Sequence, residues 1–211
     1  MSNSSNGDTV KRTRLSPDER RMQLITLGTK MLSERALEDI SVSEIAEQAG
    51  ISRGLVFHYF PTVQDFHLAI LRNANSTMLE RTAPDRELGL LAMLRDSIER
   101  YVDYAGENHT SYRALLRGPA STAPEVVDLV DQTRDAFVAV ILAEVPIPIE
   151  DADRPRLTLA MRGWIAFVEE TTLTWLRRAP VTRDQLVDLL VESLLALAVS
   201  LNPALAAAFR D

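Results

Sequence analysis

Between Ser41 and Phe60 the chain reads Ser-Val-Ser-Glu-Ile-Ala-Glu-Gln-Ala-Gly-Ile-Ser-Arg-Gly-Leu-Val-Phe-His-Tyr-Phe, and its side chains separate into two chemical sets. Ile45, Ala46, Ala49, Ile51, Val56 and Phe60 are apolar and recur at helical spacing, so they face a core. What remains pointing outward is Ser41, Ser43, Ser52, Arg53, Gly54, Leu55, His58 and Tyr59. That outward set has the chemistry of a duplex reader. Arg53 can donate a bidentate pair to guanine O6 and N7, Leu55 can rest on a thymine methyl, and Gly54 lets the backbone approach closely. Tyr59 and the hydroxyls of Ser41, Ser43 and Ser52 suit phosphate oxygens, as do free amides at helix starts. Each residue also has a plainer use. Ser41 and Ser52 serve as helix caps, Tyr59 as half-buried packing and His58 as a surface histidine. Only their combination, in this order, points to DNA.

Such a set works only if two short helices hold it. Ser41-Val42-Ser43-Glu44 is a box-like helix start, Gly50 suits the left-handed residue that ends a helix, and Ser52 can cap a second short helix through Tyr59. Two short helices around a glycine turn make a helix-turn-helix, whose second helix can lie in the major groove. Upstream, Ser16-Pro17-Asp18-Glu19 combines a cap, a proline suited to the first helical position and a capping-box glutamate. The stripe Leu24, Leu27, Met31 then predicts the first helix. Downstream, Val63, Phe66, Ile70, Ala74 and Met78 predict a longer helix over 63–82. Helical patterns continue over 85–105, 110–117, 124–144, 154–177 and 183–201. The alternating prolines of Val145-Pro146-Ile147-Pro148-Ile149 make a loop. No stretch alternates as a strand does. The expected fold class is all-α, with a basic arm over 1–15, a helix-turn-helix unit over 16–62 and a larger helical unit over 63–211.

Residues 20–70 resemble the DNA-binding domain of the TetR/AcrR family of transcriptional regulators. The resemblance rests on the first-helix stripe, then Ser41-Val42-x-x-Ile45-Ala46-x-x-Ala49-Gly50-Ile51-Ser52-x-Gly54-x-Val56-Phe57-x-Tyr59-Phe60-Pro61, then Asp65-Phe66. It implies an all-helical homodimer that represses, or occasionally activates, promoters. It also implies a C-terminal small-effector site and a four-helix bundle formed by the last two long helices with those of the partner. Three positions depart from the family pattern. Ala36 stands where most members turn after helix one with glycine, Phe57 replaces a common tyrosine, and Val63 replaces a lysine common at the next helix start. The basic arm with Lys11, Arg12 and Arg14 can compensate by reaching along the duplex.

In the C-terminal part, the predicted helix 183–201 is apolar nearly all round and needs cover on every side, supplied by its own core or by a symmetric partner. Trp175, Leu190, Leu194 and Leu197 are the candidates for a dimer interface. Tyr101, Tyr104, Tyr112, Phe137, Trp164 and Phe167 mix apolar rings with hydroxyls and fall on helices that, by the resemblance, surround the effector cavity. They are candidates to bind an amphipathic or hydrophobic molecule, or are ordinary core. Arg113, Arg117, Glu169 and Glu170 either anchor the polar end of such a ligand or sit in water. The implied mechanism is that ligand binding tilts helix 63–82 and moves the two reading helices out of register.

Composition narrows the alternatives. The 211 residues include 23 bases and 30 acids for a net −7, yet residues 1–60 balance at eight of each, so the whole excess of acid belongs to residues 61–211. There is no cysteine and there are three histidines, which leaves no thiolate metal cluster, cysteine nucleophile or disulfide framework. No Gly-rich phosphate loop or metal-ligand spacing is present either, so neither an enzyme nor any cofactor is expected. The polar start carries no secretory segment, and the apolar run 193–209 is broken by Asn202-Pro203, so a cytoplasmic chain with no membrane partner is expected. The expected function is a ligand-responsive regulator, a repressor of a palindromic operator in double-stranded DNA. The competing readings are a helical small-molecule-binding protein with degraded DNA recognition and, behind it, a helical enzyme.

Overall fold

The computed structural model describes residues 15–145 and 147–202, and in these every regular element is helical. In chain order they are α1 (Pro17–Glu34), α2 (Val42–Ala49), α3 (Arg53–Tyr59), α4 (Val63–Arg81), α5 (Leu90–Glu107), α6 (His109–Arg117), α7 (Pro124–Ala143), α8 (Arg154–Arg178) and α9 (Arg183–Leu201). Short 3-10 turns at Leu37–Asp39 and Pro119–Thr122 precede α2 and α7. The basic arm with Lys11, Arg12 and Arg14 lies outside the described residues.

Capping chemistry sets most of the starts. Ser16 and Glu19 form the expected capping box of α1, Thr62 and Asp65 that of α4, and Thr182 and Gln185 that of α9. The helix expected from residue 85 begins instead at Leu90. The Asp85 carboxylate accepts from the Glu87 amide at 3.0 Å and its carbonyl from the Leu88 amide at 3.2 Å, so the chain turns before the helix opens at Gly89. Ala36 needs no glycine in its place. It and Arg35 are extended, and the chain passes directly into the 3-10 turn. The end of α8 does depart from the common pattern, because Ala179 takes the left-handed conformation at φ 42°, ψ 53°.

Two apolar cores follow. The first joins α1, α2, α3 and the first half of α4 through Leu24, Ile45, Val56, Phe60, Phe66 and Ile70, and it also takes in Val126 and Leu129 of α7. The second gathers α5, α8 and α9 with Met78 of α4, Tyr112 of α6 and Val138 of α7. The cores therefore part inside α4, between Leu71 and Met78, rather than at 62/63 where the sequence suggests a division. Burial explains this. Phe66 and Ile70 are fully enclosed against α1, so the first half of α4 is a wall of the N-terminal core. The closest approach there is at Gly28. A Cβ on it would lie 2.6 Å from Ile70 Cγ1 and 3.2 Å from Phe66 Cζ, so α1 seats on α4 because this position carries no side chain.

Candidate functional site

The helix-turn-helix is held by three local devices. Ser41 Oγ accepts from the Glu44 amide and Ser52 Oγ from the Leu55 amide, each at 3.2 Å, so both serines cap as their positions suggest. Gly50 sits at φ 65°, ψ 39°, and the Ile51 amide behind it returns to the Ala46 carbonyl at 3.0 Å, closing α2 and re-aiming the chain into α3. Arg35 donates to Glu44 at 2.6 Å, tying the end of α1 to the start of α2. His67 meets the Ile40 carbonyl at 3.1 Å and steadies the same corner from α4.

With Val56 buried beneath it, α3 presents Ser52, Arg53, Gly54, Leu55 and His58 to solvent, and Ser41 and Ser43 are exposed at the start of α2. Arg53 makes no ion pair among the described residues, so its guanidinium is available to a ligand. Tyr59 is half-buried and stacks edge-on with His58, the ring centroids 5.4 Å apart. Phe57, the residue in place of a common tyrosine, packs against the first core. Two cations that the sequence motif does not single out flank this face. Arg21, poised 5.0 Å over the Phe60 ring, and Arg72 line a shallow groove together with Tyr59. Arg21 belongs to the N-terminal cluster of bases and could have been found there; nothing in the local pattern marks Arg72.

The second core encloses a cavity of about 190 Å³ walled by helices α4 to α9. Of the aromatic residues expected to surround it, Tyr101, Tyr112, Phe137 and Trp164 line it and two do not. Tyr104 is buried beside it, with its hydroxyl donating to the Ala74 carbonyl at 2.8 Å. Phe167 is 38% exposed on the outer side of α8, because at about 3.6 residues per turn it falls roughly 120° round the helix from the line of Met161, Ile165 and Val168. The Tyr101 and Tyr112 hydroxyls bond to each other, and burial pushes both phenols above their usual range, so both stay neutral. Trp164 is fixed by its indole N–H, which donates to Ser193 Oγ at 2.9 Å.

Charge on the cavity wall is confined to Arg134, Glu144 and Glu169 among the described residues. Arg134 donates through Nε and a terminal nitrogen to both Glu169 oxygens, at 3.0 and 2.6 Å. The second carboxylate of the Glu169-Glu170 pair points elsewhere, onto Arg117 at the surface, and Arg113 is exposed. Arg134 gave no sign of itself in the sequence, since only the packing of α7 on α8 brings it to Glu169.

The expected interface residues divide in the same way. Leu190 is fully buried in its own protomer and Leu194 lines the cavity, so neither faces outward. Trp175 and Leu197 are half-buried against the second core, and the Trp175 indole donates to the Val181 carbonyl at 2.9 Å. The outward apolar positions are Leu159 and Phe167 on α8 and Leu189 and Val199 on α9, with small Gly163 and Ala166 among them. A helix apolar all round does not reveal which stripe its own core claims.

Among the described residues no cluster of three or more His, Asp or Glu side chains is placed to hold a metal, and no helix is long and apolar enough to cross a membrane. Residues 24–70 match the family described as "Bacterial regulatory proteins, tetR family", and residues 90–197 match "Tetracyclin repressor-like, C-terminal domain". A tetR-family transcriptional regulator from Streptomyces coelicolor, known from its crystal structure, superposes with a TM-score of 0.78 at 34% identity, covering 93% of this chain and 89% of that one. The HTH-type transcriptional activator FasR of Mycolicibacterium smegmatis is 24% identical over 193 residues, 86% of this chain and 84% of the relative. The HTH-type transcriptional regulator EthR of Mycobacterium tuberculosis is 29% identical over 151 residues, 68% of this chain and 65% of the relative. Matched over both its helix-turn-helix and its cavity-bearing half, the chain belongs to the TetR family of bacterial regulators, which are DNA-binding proteins and not enzymes.

Proposed function

We propose that the protein is a transcriptional repressor whose homodimer grips a palindromic operator with two copies of α3 and releases it when a small amphipathic or hydrophobic molecule occupies the cavity. In this reading Arg53 and Leu55 meet base edges. Ser43, His58 and Tyr59 meet the backbone with Arg21 and Arg72, Ser41 and Ser52 can donate their hydroxyl protons to phosphate while their oxygens cap, and Gly54 permits the approach. Two such faces about 34–36 Å apart match successive turns of one duplex face. The partner chain covers Leu159, Phe167, Leu189 and Val199, and Tyr101, Tyr112, Phe137 and Trp164 hold the effector.

The observation that carries the proposal is that the cavity and the reading unit share material. Leu115 of α6 and Val130 of α7 line the cavity and also pack against the first core, which holds α2 and α3. On the other wall, Asn75 of α4 donates to Thr133 of α7 at 3.0 Å inside the protein, bridging the helix that leads directly from α3 and the helix that enters both cores. An effector that binds better when α4 and α7 are set differently therefore biases the placement of α3.

The test is fluorescence anisotropy with the DNA upstream of the protein's own coding region, against unlabelled competitor. The wild-type chain binds it specifically, and Arg53→Ala costs about 1–3 kcal/mol and relaxes sequence preference. Unchanged affinity and preference would remove Arg53 from the base contacts. An absence of specific binding by the wild type would favour the small-molecule-binding reading instead.

A further inference from the structure

The charges on the cavity wall indicate what kind of effector the cavity takes. Both oxygens of Glu169 are engaged by Arg134, whose remaining terminal nitrogen lies 3.3 Å from Asp131, so the guanidinium is already paired with two carboxylates and its charge is offset before any anion arrives. Glu144, at the other end, accepts from Arg86 Nε and NH2 at 3.0 and 2.7 Å. Every charged side chain described on the wall is thus already paired with a protein counter-ion. A ligand carboxylate or phosphate would have to take Arg134 from Glu169 and strand that carboxylate, which is only 12% exposed; a ligand ammonium would have to strand Arg134. The phenols offer no charge either, since burial holds both in the neutral form.

One polar group on the wall is unspent. Ser97 Oγ is buried and finds no hydrogen-bond partner among the described residues, although a helical serine can ordinarily bond back to the preceding turn. It lines the cavity on α5 one turn before Tyr101, and the same face continues through Leu90, Met93 and Leu94, which line it too. The wall thus has an open hydroxyl beside a phenol pair, with hydrocarbon beyond.

We propose that the effector is an uncharged molecule with a hydrocarbon body and one oxygen function, such as an alcohol, ketone or ester, that hydrogen-bonds Ser97 while its hydrocarbon lies along Leu90, Met93 and Leu94. This rests on the cavity being the effector site. The experiment reads binding to the full-length protein without DNA, by isothermal titration calorimetry at pH 7.5, using 1-decanol, methyl decanoate, decanoate and decylammonium as probes. The neutral pair binds at least tenfold more tightly than either ion. Ser97→Ala weakens the neutral pair about tenfold and leaves the melting temperature of the ligand-free protein unchanged or raised, because it removes an unpaired buried hydroxyl. Decanoate binding tighter than methyl decanoate and weakened by Arg134→Gln overturns the proposal, as does a Ser97→Ala variant that binds all four as the wild type does, or a series in which none binds. Neutral probes that bind as stated but leave operator affinity unchanged in a separate anisotropy titration would support the ligand class and refute the release mechanism, so the two failures are distinct.

Discussion

Replacing Gly28 with alanine sets two effects of known sign against each other. In the middle of α1, alanine is favoured over glycine by about 0.8–1 kcal/mol through backbone entropy alone. The added methyl would sit 2.6 Å from Ile70 Cγ1 and 3.2 Å from Phe66 Cζ. Neither neighbour can yield, for both are fully enclosed and Ile70 is β-branched on a helix, where one χ1 rotamer dominates. Overfilling such a contact costs about 1–3 kcal/mol, so the net change runs from about zero to a loss of about 2 kcal/mol. Gly106, near the end of α5, is the internal control, because nothing lies within 4 Å of its Cβ position. Gly106→Ala gains a few tenths to about 1 kcal/mol from the same entropic term. Urea unfolding of the two variants and the wild type, followed by circular dichroism, reads both signs. A Gly28→Ala protein as stable as the Gly106→Ala protein would refute the claim that α1 and α4 are in contact through this glycine. Because α4 also walls the cavity, the unstable variant should shift effector response as well as stability.

Three further outcomes follow from the same geometry. Leu189→Asp, on the outer side of α9, should convert the dimer to monomer in sedimentation velocity with the protomer still folded, whereas Leu194→Asp should unfold it by burying a charge; a dimer that survives Leu189→Asp would place the interface elsewhere. Tyr101 and Tyr112 keep their protons longer in the folded state than in the unfolded one, where a phenol titrates near about 10. Their contribution is therefore complete below about pH 10 and is lost as pH rises from there toward the folded value, so stability falls as pH climbs above about 10. Tyr101→Phe should fall less steeply over that window in urea titrations, and parallel curves would contradict the burial argument. Ala179→Gly should relieve the left-handed residue at the end of α8, worth about 1–2 kcal/mol, against about 0.5–1 kcal/mol of glycine entropy. The net is a gain of about 0.5 kcal/mol in urea unfolding, and a loss would mean that the alanine methyl contributes packing.

Capping and periodicity made the N-terminal unit readable because its signals are local. A serine bonds an amide three residues away, a glycine adopts a positive φ at its own position, and a four-residue stripe repeats within one helix. Ser41, Gly50 and Ser52 therefore act where their spacing put them, and on α3 Val56 is buried while Arg53, in the first turn, is exposed. Helix existence through α9 was legible for the same reason. The start of α5 was not, because Asp85 forms its own turn, a competition that composition does not reveal.

The amino-acid order alone determined an all-helical chain and the position of its helix-turn-helix. Which side of α8 and α9 meets the protomer's own core was decided only by packing. For that reason Leu190 and Leu194 lie inside, Leu189 and Phe167 lie outside, and Tyr104 is turned away from the cavity that Tyr101 lines. The partnership of Arg134 with Glu169 across 35 residues, and the unpaired hydroxyl of Ser97, likewise exist only once helices distant in sequence are brought together. A helix that is hydrophobic on several stripes carries no mark of which neighbour each will meet. That assignment belongs to tertiary structure, because burial depends on what lies opposite and not on the residue itself.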